Sequence, residues 1–159
     1  MNRRTLQVAL AALLLGATPA LPDVAHATPP AQQQPKGKVE LKVHVIHATD
    51  THTRVDPRLD QLQRYLRHLR YTGYELLETR KVPLTARGAE TFAIAGERKV
   101  RVELLSKDAK KARLRVKIIG RKGQKLLDTT LSVPRNGTFI VAGPKYKGGI
   151  LVLPLTAKY

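Results

Sequence analysis

The residues whose types and spacing could do chemistry are basic, and they alternate with aliphatic ones. Lys99 and Arg101 flank Val100, while Lys111, Arg113, Arg115 and Lys117 are separated by Ala112, Leu114 and Val116. On an extended chain, side chains two apart project to the same side. The cations therefore gather on one side and the aliphatic residues on the other, with Glu103 the single acid among the former. Like charges aligned across neighbouring strands repel mildly. A wall of this kind is suited to receive an anion through charge-assisted hydrogen bonds. A blander reading gives the same residues nothing to meet but water.

Other chemistries have less support. His44, His47, Asp50 and His52 have the composition of a metal site. His44 and His47, however, face opposite sides of a continuing strand, and no helical i, i+4 pair of ligands exists. No metal and no cofactor is expected. Ser106 and Ser132 lie in no glycine-flanked nucleophile turn, and the chain has no cysteine. Glu75 and Glu78, three apart in a strand, should point opposite ways. No catalytic residue is assigned, and the protein is read as non-enzymatic. An enzyme would require folding to assemble a histidine or carboxylate cluster from these positions.

The elements that must position the basic residues follow from periodicity. Period-two alternation from Arg98 to Ile119, broken by Ser106 to Lys110, predicts two antiparallel strands joined by a short loop. Upstream, Val39 to Val45 alternates as a first strand, and Ile46 to Val55 loses the pattern. Asp56-Pro57 has the residues of a helix start, with Asp as cap and Pro in the first turn. Leu59, Leu62, Leu66 and Leu69 then share an arc with Tyr65, which predicts an amphipathic helix from Pro57 to Thr72 ended by Gly73. Further strands are expected at Tyr74 to Leu84, Thr91 to Ala95, Lys125 to Val133, Thr138 to Ala142 and Ile150 to Leu155. Pro134-Arg135-Asn136-Gly137 is read as a hairpin turn, because Asn-Gly tolerates positive φ.

The expected fold class is mainly β (α+β): an antiparallel meander of about 7–8 strands, folded as a β-sandwich or open barrel, with one helix after the first strand. It occupies residues 39–159 as a single β-rich domain. Residues 1–27 read as a signal peptide, with basic Arg3-Arg4, the apolar run Leu6 to Ala17 and the small-x-small Ala25-His26-Ala27. Arg3-Arg4-Thr5-Leu6 also partly resembles a twin-arginine signal, so both export routes stay open. Residues 28–38, rich in Pro and Gln, read as a disordered linker. The apolar run is too short to span a bilayer, and no later one is longer. The expected location is periplasmic or extracellular.

With 29 Lys and Arg against 12 Asp and Glu, the formal net charge of the 159-residue chain is +17. For an exported protein the matching partners are anionic envelope polymers, lipid headgroups or an envelope protein. Nucleic acid is the weakest of the anions, since Trp is absent and no glycine-aromatic stacking motif appears. Lys145, Lys147 and Lys158 are expected to extend the wall.

Two resemblances add to this. Thr129, Thr130, Val133, Thr138 and Gly143 resemble the hairpin of the bacterial secretin pore domain, with Ala142 in place of its first glycine. That likeness covers Thr129 to Gly143 and implies, as an alternative, a structural or accessory subunit of a secretion or pilus apparatus. The stretch from Leu126 to Thr130, with Ala142 to Pro144, is similar to small exported bacterial β-domain proteins of unassigned function. This second likeness implies export and no activity.

Overall fold

Burial alternates along several of the strands, and that alternation sets the architecture. The computed structural model describes residues 37–159. They form β1 (Val39–Thr49), β2 (Gly73–Leu84), β3 (Ala89–Ile94), β4 (Arg98–Lys107), β5 (Lys111–Ile119), β6 (Lys125–Pro134), β7 (Thr138–Tyr146) and β8 (Gly149–Lys158). The strands make two four-stranded antiparallel sheets, ordered β2-β1-β8-β7 and β3-β4-β5-β6. The expected signal peptide, and the linker up to residue 36, lie outside the described residues.

Both sheets feed one core. Val39, Leu41, Val43 and Val45 of β1 and Leu151, Leu153 and Leu155 of β8 share a buried cluster with Val100, Val102 and Leu104 of β4 and Leu114, Val116 and Ile118 of β5. Removing that much aliphatic surface from water is the main driving force for the fold. The other face of the first sheet carries a second cluster. There Ile46 and Ala48 of β1 and Val152 of β8 meet Leu59, Leu62, Leu66 and Tyr74. A strand covered on both faces loses its polar alternation. That is why Ile46 to Thr49, expected to be irregular, continues β1 as a run of buried residues.

The helical segment is shorter than expected. A 3₁₀ helix, Pro57–Leu62, runs into a single α turn, α1 (Gln63–Leu66), and Arg67 to Thr72 is not helical. Its start is as read: Asp56 accepts a hydrogen bond from the Arg58 amide at 2.9 Å. Leu59, Leu62 and Leu66 bury their side chains, which is enough to seat it, and Tyr74 Oη donates to the Leu66 carbonyl at 3.0 Å, capping its end. Gly73 does not terminate a helix. It is the first residue of β2, paired with Thr49, where a Cβ would collide with His52.

The meander expectation holds only for β3 to β6. In the first sheet β1 lies between β2 and β8, so the first and last strands pair in the middle. The turn at Pro134 to Gly137 forms, with Gly137 N–H on the Pro134 carbonyl at 2.9 Å and Asn136 at φ 54°. It does not make a hairpin: β6 pairs with β5 and β7 with β8, so the turn carries the chain from one sheet to the other.

Candidate anion-binding face

The two strands singled out by alternation are neighbours in the second sheet, and their register places the basic side chains. Arg101 opposes Lys117, Glu103 opposes Arg115, and Lys99 opposes Ile119. On the far side of β5, Arg113 opposes Ser132, Arg115 opposes Thr130, and Lys117 opposes Asp128. Val100, Val102, Leu104, Ala112, Leu114, Val116 and Ile118 are buried between these positions. Lys99, Arg101, Lys111, Arg113, Arg115 and Lys117 therefore share the outward face of one sheet.

They are not equivalent. Arg115 Nε and Nη2 donate to Asp128 Oδ1 and Oδ2, each at 2.9 Å, in the two-point geometry that suits a guanidinium and a carboxylate. Lys125 Nζ lies 3.5 Å from the same carboxylate. The Arg115 hydrogen bonds hold the Asp128 carboxyl at about 2, against its usual 3.8, and Asp128 raises Arg115 in turn. Arg115 is thus neutralised where it stands. Lys99, Arg101, Lys111, Arg113 and Lys117 enter no ion pair among the described residues. Asp128 escaped the sequence reading because its place on this face depends on the β5–β6 register. A pairing of those two strands through the Gly120 to Gln124 turn would have put it there.

The hydroxyls on the face were also missed. Ser106, Thr130 and Ser132 line a cleft of about 480 Å³ with Lys111, Arg113, Asp108 and Leu131. The Asp108 carboxylate accepts the amide hydrogens of Lys110 and Lys111 at 2.7 and 2.8 Å, and these hold it below the usual carboxylate range.

Lys145, Lys147 and Lys158 do not extend this face. They belong to the other sheet and its turns, because β7 and β8 pair away from β6. Lys145 and Lys147 line a separate cleft of about 650 Å³ with Arg98, Tyr146 and Asp50. Arg98 is engaged there, donating to the Lys145 carbonyl at 2.8 Å.

The histidines scatter. His44 Nδ1 lies 2.9 Å from Thr79 Oγ1, and burial, with Lys42 nearby, lowers its pKa. His47 Nε2 donates to the Tyr146 carbonyl at 3.1 Å, and its Nδ1 is 3.9 Å from Glu75. His52 Nδ1 accepts the Arg54 amide hydrogen. Among the described residues no three His, Cys, Asp or Glu side chains are grouped to hold a metal.

Glu75 and Glu78 need a correction. A bulge leaves Leu77 without a partner, so Glu75 pairs with His47 and Glu78 with Val45, two positions of the same parity in β1. They do not face opposite ways. Glu78 is taken up by Arg80, whereas Glu75 shares a cleft of about 410 Å³ with His52, Arg54, Asp56 and Arg58. In that cleft Arg58 is held by Asp56.

No helix among the described residues is long and apolar enough to cross a membrane. Compared with models of known protein families, with curated proteins and with solved structures, the chain matches none.

Proposed function

We propose that this is a non-enzymatic exported envelope protein that docks on an anionic envelope component through the outward face of its second sheet, the two sheets forming a β-sandwich. The observation that supports this is the one-sided placement of Lys99, Arg101, Lys111, Arg113 and Lys117, without ion-pair partners among the described residues. Arg101 and Lys117 stand directly opposed in the register. Such a pair costs stability when nothing lies above it, and an arriving polyanion relieves the repulsion.

Binding to lipopolysaccharide across a salt series tests it. Affinity should fall steeply with salt, since the contacts are chiefly ionic, and R101Q/R113Q/K117Q should weaken it at every concentration. Binding indifferent to salt would end the reading. Copurification with membrane secretion complexes, without polyanion binding, would favour the accessory-subunit alternative. Turnover of an envelope substrate lost in E75Q would favour an enzyme built around the His52 and Glu75 cleft.

A further inference from the structure

Arg113 holds a position that no other cation of the face shares. In the cross-strand register it lies between two serines, Ser106 on β4 and Ser132 on β6. Neighbouring strands are about 4.8 Å apart, so a serine flanks the Arg113 side chain on either side where it leaves the backbone. Ser106 is there because of a bulge. The register shifts between Leu104 and Ser106, leaving Leu105 unpaired and bringing Ser106 opposite Arg113. Without the extra residue, Leu105 would follow Leu104 in the pairing. Bulges are used in sheets to re-aim a side chain.

All three side chains line the 480 Å³ cleft, with Lys111 and Thr130 beside them. A guanidinium fork, an ammonium and several hydroxyls make a donor set for a tetrahedral oxyanion, which offers more acceptor oxygens than a planar carboxylate can present. Asp108, the one carboxylate in the cleft, stays ionised because two amide hydrogens hold it. Its charge turns an anion away from the Asp108 side and toward Arg113 and Ser132. The lining is polar except for Leu131, which is largely buried. It offers little apolar surface for an acyl chain.

We infer that this cleft is a phosphoryl-binding subsite for a sugar phosphate, the phosphate seated between Ser106, Arg113 and Ser132. The inference rests on the proposed docking face and names the chemistry its firmest contact recognises. Arg101, Lys117 and Lys99 contribute attraction at longer range. Selectivity comes from the serine row.

The full chain, titrated with glucose 1-phosphate, glucuronate and glucose at matched ionic strength and followed by amide chemical shifts, tests it. Glucose 1-phosphate should move Ser106, Arg113 and Ser132 and bind more tightly than glucuronate. Replacing both serines in S106A/S132A should weaken glucose 1-phosphate by roughly a hundredfold or more, each of the two lost hydrogen bonds to a charged group being worth about tenfold or more. That variant should weaken lipopolysaccharide binding less than R101Q/R113Q/K117Q does and leave its salt dependence in place. S106T/S132T, which keeps both hydroxyls, should retain the preference and guards against a simple folding defect. Equal binding of glucuronate and glucose 1-phosphate, with lipopolysaccharide binding intact, overturns the subsite and leaves the docking face standing. Preference for phosphatidylglycerol vesicles over glucose 1-phosphate overturns the sugar-phosphate assignment. Loss of all anion binding removes both readings.

Discussion

Lys117 stands in the register between Arg101 on one neighbouring strand and Asp128 on the other. The face is therefore not a uniform sheet of charge. One edge, on β6, carries the acid that neutralises Arg115, and the other, toward β4, keeps Lys99 and Arg101 without ion pairs among the described residues.

Asp128→Asn should sharpen anion binding. It removes the carboxylate that engages both Arg115 Nε and Nη2, and so releases a guanidinium onto the face. Lipopolysaccharide affinity at low salt should rise, and its salt dependence should steepen. Unchanged affinity would show that Arg115 lies outside the contact.

The same pair sets an acid limit. The Asp128 carboxyl is depressed to about 2 in the folded state from a usual 3.8. The stability it contributes is thus present above 3.8 and is lost as pH falls from there toward about 2. Thermal melts between pH 5 and pH 2 should decline less steeply in D128N than in the parent protein.

His44 works in a higher pH window. Burial disfavours its charged form, so its folded pKa lies below the usual 6.5. The associated stability is present above 6.5 and diminishes as pH falls through the depressed value. H44Q should therefore flatten the part of the melting profile just below neutrality.

Leu114 is fully buried beneath the outward-facing Arg113 and Arg115. Leu114→Ala should cost about 2–5 kcal/mol in urea unfolding, through lost transfer energy and the cavity left behind. Lys122→Ala, on an exposed turn, should cost under about 0.5 kcal/mol.

The hydroxyl of Tyr159 is shielded from water without a hydrogen-bond partner among the described residues. Its ring meets Lys107 Nζ at 4.7 Å and Arg135 at 5.8 Å, contacts that phenylalanine would keep. Tyr159→Phe should be neutral or stabilising by up to about 1 kcal/mol, since it deletes only an unsatisfied polar group.

How legible all this was depended on the range of the forces involved. The parity of Lys111 to Ile118 is local, and β5 spans almost the stretch it indicates. The residues expected to be buried between Lys99 and Ile118 are buried. The helix was overread because Leu69 continues the leucine spacing and does pack, partly buried, against the second cluster, but from the non-helical stretch after Leu66. The middle position of β1, beside β8, is a long-range choice that no local pattern records. Bulges were equally hidden. One undid the opposite facing expected of Glu75 and Glu78, and another brought Ser106 beside Arg113.

The central claim is that placement of charge, not its total, creates the docking face. Heparin elution of two variants with equal net charge tests this most directly. K99Q/R101Q/R113Q/K117Q removes four cations from the face, and R54Q/R67Q/R70Q/K158Q removes four exposed ones elsewhere. The first should elute at markedly lower salt than the second, which should stay close to the parent protein. Coincident elution of the two variants would contradict the account.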